Sequence, residues 1–372
     1  MKDPRVKALA RLLVNHSCSL KEGERVLVEA VNAPEEIVLE LCRAAKAAGA
    51  TPFVSLKNDR VIRELCTLYD ETDARLMADA ELHMLRQMDA FISIRAIENA
   101  QEYSDVCGDK LQNILRHYVE PVHYRYRNEH TKWVALRWPT PAMAERAGMS
   151  TEAFEDFFFD VCTIDYAKMD AAMTPLVSLM RQTDEVRIHG PGETDVRFSI
   201  KGIGQYKSVG RHNIPDGELF TAPVRDSVQG RIHYNVPSVY YGTDFRDVRL
   251  EFRDGRIVEA SAAANERKLK EILDTDEGAR RIGEFAFGFH PRIHEPMRDI
   301  LFDEKIAGSI HLTPGNAYAD ADNGNRSAIH WDLILRQTPD AGGGEIWFDQ
   351  TLVRRDGRFV PVELACLNPE NL

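Results

Sequence analysis

The chain has 372 residues, of which 44% are hydrophobic and 28% charged, and its formal net charge is −12. This composition is that of a globular protein long enough for two domains. The negative charge argues against a general affinity for nucleic acid, so no nucleic-acid partner is predicted.

The N-terminal segment MKDPRVKALARLLV is charged and amphipathic, unlike a signal peptide with its apolar core. No stretch approaches the roughly 18 apolar residues of a membrane span, so no membrane partner is expected. From these two features we predict a cytoplasmic protein.

Strand-like apolar runs and helical patterns alternate through the first half of the chain. PEEIVLELCRAAKAAGA (34–50) is typical of a helix, with Pro and Glu at its start, Lys near its end and Gly after it. The predicted elements are strands at 25–31, 51–56, 89–96 and 132–139, and helices at 34–50, 59–87 and about 104–118. Strands alternating with helices favour a mainly parallel sheet covered on both faces. No GxGxxG motif follows a strand, so no nucleotide site is predicted.

The pattern changes at about residue 185, after a helical stretch at 141–184. Beyond it, apolar and polar residues alternate, which is typical of antiparallel strands with one buried face. Arg-Asp-Gly recurs at 253–255 and 355–357, where it predicts hairpin turns. We therefore predict an α/β domain with a mainly parallel sheet and a helical linker at its end (1–184), followed by a β-rich α+β domain (185–372).

The stretch SAIHWDLIL (327–335) places His330 and Asp332 two residues apart in an apolar run. In a strand, residues with this spacing point to one face. A buried imidazole and carboxylate need partners, because an uncompensated buried charge is costly. A metal ion would satisfy both side chains, and so would hydrogen bonds between the pair and its neighbours.

Four further residues of the same half are candidate metal ligands. They are Glu218 after the Pro-Asp-Gly turn of NIPDGELFTAP, Glu284 in RIGEFAFG, His311 in AGSIHLTPG and Tyr318 in a Gly-Asn-rich loop. A single catalytic zinc usually takes three protein ligands. A set of two imidazoles, three carboxylates and a phenol is therefore better suited to two metal ions that share a bridging carboxylate.

Each candidate also has a purely structural interpretation, and the pattern alone does not choose between the two. The structural alternatives are a solvated hairpin residue for Glu218, an ion pair with Arg280 or Arg281 for Glu284, a hydrogen-bonded core histidine for His311, an ordinary loop aromatic for Tyr318 and a structural pair for His330 and Asp332.

Four ordered segments of the second half, NIPDGELFTAP, GEFAFG, DEKIAGSIHLTPG and SAIHWDLI, resemble the signature blocks of the thermophilic metallo-aminopeptidases, the aminopeptidase T, aminopeptidase S and PepS group. The resemblance implies two divalent ions (zinc, cobalt, manganese or magnesium) held by Glu, Glu, His, Tyr, His and Asp, in that order. Carried over block by block, this ligand set is Glu218, Glu284, His311, Tyr318, His330 and Asp332.

The resemblance also implies release of N-terminal amino acids from peptides, a homodimer and a catalytic second half. In the predicted mechanism a hydroxide bridging the two ions attacks the scissile carbonyl, and Glu284, Glu218 and Tyr318 are the catalytic residues. The alternative comes from ring-cleaving relatives of the family, the dihydroxypyridine dioxygenases, in which His311, His330 and Asp332 would hold one iron. The presence of both glutamates favours the peptidase, because a mononuclear iron site would not need them.

Overall fold

The computed structural model describes residues 3–372. Within those residues, no helix combines the length and the apolar character needed to cross a bilayer. The α-helices are α1 Pro4–Leu12, α2 Glu35–Ala47, α3 Asp59–Leu68, α4 Glu71–Leu85, α5 Gly108–Ile114, α6 Asn128–His130, α7 Pro141–Arg146, α8 Thr151–Cys162, α9 Tyr166–Met180, α10 Glu266–Leu273 and α11 Ile300–Asp303. Two π-helical segments are Leu13–Ser17 and Leu115–Arg127. The 3-10 turns are Gly278–Arg280, Ala319–Ala321, Pro339–Ala341, Val362–Leu367 and Pro369–Asn371.

The strands are short and are most numerous after residue 185. They are β1 Arg25–Val31, β2 Thr51–Lys57, β3 Ala90–Ala96, β4 Lys132–Trp138, β5 Glu185–His189, β6 Asp195–Ser199, β7 Tyr206–Ser208, β8 Asn213–Ile214, β9 Glu218–Thr221, β10 Gln229–Tyr234, β11 Ser238–Tyr240, β12 Thr243–Phe245, β13 Val248–Arg253, β14 Arg256–Ser261, β15 Ile282–Gly288, β16 Ser309–Pro314, β17 Ile334–Arg336, β18 Glu345–Phe348, β19 Thr351–Arg355 and β20 Arg358–Phe359.

The chain divides into two compact units. The N-terminal unit comprises Met1–Ile164 and Gly210–Pro215, and the C-terminal unit comprises Asp165–Val209 and Asp216–Leu372. This division differs from the predicted boundary at 184/185 in two places. Helix α9 belongs to the second unit because Lys207 and Cys366 hydrogen-bond to its backbone carbonyls. Strand β8 belongs to the first unit because it pairs with β4.

The N-terminal unit is built around a five-stranded parallel sheet in the order β2-β1-β3-β4-β8. Its strands form where Val and Ile are dense, and β1 is buried at every position after its first residue. Two of its helices begin at side-chain caps that mark them in the sequence: Asn58 accepts hydrogen bonds at the start of α3, and Asp70 does so at the start of α4. The predicted α/β half with a mainly parallel sheet is confirmed.

The C-terminal unit contains an eight-stranded antiparallel sheet in the order β14-β13-β10-β6-β5-β18-β19-β20 and a five-stranded antiparallel sheet in the order β17-β16-β15-β9-β7. Phe285 and Phe287 of β15 contact Phe198 and Phe348 of the larger sheet, so the two sheets pack face to face. Every residue of β15 and β16 is buried. The predicted β-rich, α+β second half is confirmed, and both Arg-Asp-Gly segments form hairpin turns.

The strand-like stretch SAIHWDLIL is not one continuous strand. Only Ile334–Arg336 is a strand, and His330 forms one isolated antiparallel bridge with Gly315. At the start of the stretch, the Ser327 hydroxyl and the Ala328 N–H donate to Asp276, so this backbone bonds to a loop side chain and not to a neighbouring strand.

Candidate metal centre

Three adjacent strands of the five-stranded sheet carry the first candidate ligands. The register pairs Gly288 with Glu218 and Ala286 with His311. Since residues two apart on a strand share a face, Glu218, Glu284 and His311 project to the same side of the sheet. Phe285 and Phe287 alternate with them and project into the core on the other side.

The turn that precedes Glu218 requires its glycine. Gly217 has φ of +143°, and a Cβ added there would lie 3.1 Å from the Cβ of His290. A side chain at this position would crowd His290 and would strain the backbone. The Pro-Asp-Gly turn therefore fixes where β9 begins, and with it the position of Glu218.

The first ligand group joins Glu218, Glu284 and His311, all of them buried. His311 Nε2 lies 2.9 Å from Glu284 Oε1 and 3.4 Å from Glu218 Oε2. Burial by itself would lower the pKa of His311, but the hydrogen bond to Glu284 and the charge of Glu218 raise it to about 9.

The second ligand group joins Glu284, His330 and Asp332. His330 Nε2 lies 3.2 Å from Asp332 Oδ1 and 3.4 Å from Glu284 Oε2. On the other side of the ring, His330 Nδ1 lies 2.8 Å from the carbonyl oxygen of Asn316. A carbonyl can only accept, so Nδ1 donates and Nε2 faces the two carboxylates. This is the orientation of a metal-binding histidine with an anchored outer nitrogen.

Glu284 is the residue common to both groups. Its two carboxylate oxygens face different histidines, Oε1 towards His311 and Oε2 towards His330. Asp332 is held in turn by the Thr313 hydroxyl, which donates to Oδ1 at 2.7 Å. The arrangement therefore has two neighbouring ligand sets joined through one carboxylate.

The donor set fits divalent cations. Among residues 3–372, Glu218 Oε2 and Glu284 Oε2 are buried and accept no hydrogen bond of ordinary geometry. Burial disfavours a charged His330, but the charge of Asp332 outweighs it and holds the pKa of His330 well above its usual range. Protons on the imidazoles thus balance the carboxylates, and metal binding replaces such protons because a ligating imidazole must be neutral.

Tyr318 lies beside the second group. Its ring centroid is 4.5 Å from that of His330 and 5.7 Å from that of Phe220, and 46% of the residue is exposed. The structure thus brings all six predicted residues into one region of the C-terminal unit. Five form the two ligand groups, and Tyr318 contacts a member of one.

Sequence reasoning missed Lys305 and Glu304. Lys305 is wholly buried, and its Nζ lies 2.9 Å from Glu218 Oε1, 3.7 Å from Asp216 Oδ1 and in contact with Glu304 Oε1. Burial opposes its charge, but the surrounding carboxylates outweigh that effect and hold the pKa of Lys305 well above its usual range. Burial also raises the pKa of Glu304, helped by the charge of Glu218. The segment DEK (303–305) has the composition of an exposed turn, so no local signal marked these residues.

A third acidic group lies in the N-terminal unit, where Glu29, Glu81 and His123 come close together. Lys57 already supplies a cation there, with Nζ 2.6 Å from Glu29 Oε2 and 2.9 Å from Glu81 Oε2. This group therefore carries no metal prediction.

Two ligand groups of carboxylates and imidazoles that share one glutamate define the site of a metal-dependent enzyme. Residues 2–359 match the family model described as thermophilic metalloprotease (M29), and the chain belongs to that family. The predicted resemblance to the aminopeptidase T, aminopeptidase S and PepS group is confirmed, and so is the predicted enzyme class, a metallo-aminopeptidase.

Relatives match both along the whole chain and in part of it. Aminopeptidase 2 from Geobacillus stearothermophilus is 26% identical over 406 aligned positions, covering 95% of this chain and 95% of that protein. Aminopeptidase T from Thermus aquaticus is 34% identical over 166 positions, which cover 40% of this chain and 38% of that protein.

Two solved structures share the fold over nearly the whole chain. Wild-type AmpT from Thermus thermophilus superposes with a TM-score of 0.80 at 22% identity, covering 96% of this chain and 99% of that chain. The 2,5-dihydroxypyridine dioxygenase from Pseudomonas putida KT2440 has a TM-score of 0.61 at 15% identity, covering 96% of this chain and 98% of that chain. At these identities the likeness shows the fold alone.

Proposed function

We propose that this protein is a dinuclear metal-dependent aminopeptidase that releases N-terminal residues from peptides. The observation that carries the proposal is Glu284, whose two oxygens face His311 at 2.9 Å and His330 at 3.4 Å. A carboxylate placed between two imidazoles is the arrangement expected of a bridging ligand. The substrate class follows from the relatives, which are named aminopeptidases.

The proposed ligands divide into two sets. Glu218 and His311 would hold one ion with Glu284 Oε1, and His330 and Asp332 would hold the other with Glu284 Oε2. When bound, two such ions supply Lewis acidity towards the scissile carbonyl and a water of lowered pKa. Imidazole and carboxylate ligands together suit zinc, cobalt or manganese better than magnesium, which prefers oxygen ligands alone.

The remaining chemistry falls to the side chains. Glu284 or Glu218 would carry a proton from the attacking water to the leaving amine. Tyr318, beside His330, would donate a hydrogen bond to the developing oxyanion of the substrate. Thr313 and the Asn316 carbonyl hold Asp332 and His330 in orientation.

The geometry favours this function over the single-iron dioxygenase. That alternative needs His311, His330 and Asp332 around one ion, yet the two histidines belong to different ligand groups. It also leaves Glu284, which is buried and contacts both histidines, without a role.

Metal analysis combined with a substrate panel tests the proposal. We expect two metal ions per chain and hydrolysis of aminoacyl fluorogenic amides, with N-acetylated versions of the same amides as the matched control that is not cleaved. One iron per chain, with oxygen uptake and no hydrolysis, would replace the proposal with the dioxygenase. The homodimer and the cytoplasmic location stay predictions, to be checked by light scattering and by cell fractionation.

A further inference from the structure

Lys305 is held rigidly in place by its backbone. Its carbonyl accepts a hydrogen bond from the His290 N–H at 2.9 Å, and its own N–H donates to the Phe302 carbonyl at 3.1 Å. The side chain has no exposed surface. A buried ammonium is costly, so its position must be set by the carboxylates around it.

The contacts of Lys305 make the two ligand glutamates different. Both oxygens of Glu284 face a histidine. Glu218 has only Oε2 on the histidine side, 3.4 Å from His311 Nε2, because Oε1 lies 2.9 Å from Lys305 Nζ. One oxygen of Glu218 is therefore engaged by the ammonium, and the other is left free to bind metal.

We propose that Lys305 is a positioning residue that holds Glu218 to a single ligand oxygen and thereby sets the affinity of the metal position at Glu218 and His311. This inference rests on the proposed dinuclear function. A purely structural lysine would neutralise the buried acids, and its loss would weaken the whole fold. A positioning lysine acts on one metal position and leaves the other, at His330 and Asp332, intact.

Substitution Lys305→Met tests this, because methionine keeps much of the volume and removes the charge. The readout is equilibrium dialysis of the purified full chain against Co²⁺, with metal counted per chain. We expect the parent to bind two Co²⁺. The variant should bind one at parental affinity and the second with roughly 10- to 100-fold weaker affinity, the range seen when residues that orient ligands are changed. Its aminopeptidase activity should return at high Co²⁺.

Lys132→Met is the matched control. Lys132 also neutralises a carboxylate, with its Nζ 2.6 and 2.8 Å from the two oxygens of Glu24, but neither residue belongs to a ligand group. It should lower the melting temperature without changing Co²⁺ binding. If Lys305→Met does not fold, the double variant Lys305→Met/Glu304→Gln, which carries one buried acid fewer, is dialysed in the same way.

The outcomes separate this inference from the function it rests on. Two Co²⁺ bound at parental or tighter affinity by either Lys305 variant, or equal loss of both ions, would overturn the positioning role. A crystal structure of the Co²⁺-loaded parent tests the same role without any variant. If both oxygens of Glu218 bind one ion, the positioning role of Lys305 is overturned as well. A parent chain that binds a single Co²⁺ contradicts the dinuclear function itself.

Discussion

Glu284 and Glu218 have the same side chain but lie in different surroundings. Glu284 is buried between two histidines, whereas Glu218 is shared between a histidine and an ammonium. Burial would raise the pKa of Glu284, but the hydrogen bond from His311 and the positive charges of His311 and His330 lower it, so it stays ionised. We therefore expect the proposed dinuclear chemistry to depend on Glu284 more than on any other carboxylate.

Substitution Glu284→Gln should therefore remove activity and metal together. The amide keeps the shape but carries no charge, and it turns one acceptor into a donor facing a histidine. We expect kcat to fall on the order of 10²–10⁴-fold, the range for loss of a general acid–base group. The matched control is Glu259→Gln, at an exposed position of β14, and it should match the parent in kcat and in metal content. Full activity of Glu284→Gln would rule out the bridging role.

The sequence identified the six candidate ligands, but it did not identify every residue that contacts them. Glu284, His311, His330 and Asp332 stood out because polar side chains are rare in apolar runs, whereas Glu218 and Tyr318 follow a turn and lie in a loop. Lys305 did not stand out, because its partners Glu218 and Asp216 come from a turn much earlier in the chain. Only the folded arrangement reveals that the three are neighbours.

The hairpin β11–β12 supports the segment that carries His330 and Asp332. Between these residues, Trp331 is fully buried, stacks on Tyr240 at 4.7 Å and donates to the Ser238 hydroxyl at 2.9 Å. The Tyr240 hydroxyl donates to the His330 carbonyl at 3.1 Å. The Trp331 backbone N–H also donates to the Pro314 carbonyl of β16 at 3.1 Å, so the hairpin and β16 together hold His330 and Asp332 in place.

Substitution Tyr240→Phe removes only the hydroxyl of that hairpin. We expect the free energy of unfolding to fall by about 0.5–1.5 kcal/mol, the net value of one hydrogen bond. Activity should fall further, roughly 10-fold, because the orientation of His330 is loosened. Denaturant unfolding and kcat/KM on one aminoacyl amide measure both effects, with the exposed Tyr124 as the Tyr→Phe control. An unchanged kcat/KM would show that the hairpin does not orient the ligands.

Asp303 is a buried acid at the end of helix α11, and we expect its ionisation to make the stability of the C-terminal unit depend on pH. Burial raises the pKa of Asp303 to about 8, from an ordinary 3.8, although its Oδ1 accepts a hydrogen bond from Met297 N–H. The folded state thus binds more protons than the unfolded state between these two values. The stability from neutral Asp303 is complete below the unfolded pKa and is lost as the pH rises through about 8.

The neutral variant Asp303→Asn should not lose this stability. We expect the melting temperature of the parent to fall by several degrees, relative to the variant, between pH 6 and pH 9. Thermal melts of both proteins in the same buffers measure the difference, and Asp79→Asn, an exposed acid in the middle of α4, is the control. If the melting temperatures of the parent and Asp303→Asn change in parallel with pH, Asp303 is not the source of the pH dependence.

Elements with a strong local pattern were predictable, and elements that depend on distant pairing were not. Strands β1 to β4 follow runs of Val, Ile and aromatic residues, and the alternation beyond 185 indicated antiparallel strands. Strand β8 has two residues, and only its pairing with β4 makes it part of the parallel sheet. The π-helix Leu115–Arg127 continues well past the predicted helix end and contains Pro121, which local rules treat as a helix breaker.

For the whole molecule, bound metal should be a large part of stability. The two ligand groups of the C-terminal unit bring the carboxylates of Glu218, Glu284 and Asp332 together. A cation that binds only the folded chain stabilises it by mass action, by about 2.7 kcal/mol when the free cation concentration is 100 times the dissociation constant. We expect a chelator to lower the melting temperature and abolish activity, and added Zn²⁺, Co²⁺ or Mn²⁺ to restore both. Glu284→Gln should show a much smaller shift with metal. A melting temperature that changes neither with chelator nor with added metal would argue against a cation site in the C-terminal unit.

A crystal structure of the metal-loaded protein with anomalous scattering data tests the dinuclear site most directly. We expect two anomalous peaks, about 3.5–4 Å apart, with Glu284 bound to both, Glu218 and His311 on one, and His330 and Asp332 on the other. A single peak held by His311, His330 and Asp332, with Glu218 and Glu284 unbound, would rule out the dinuclear site.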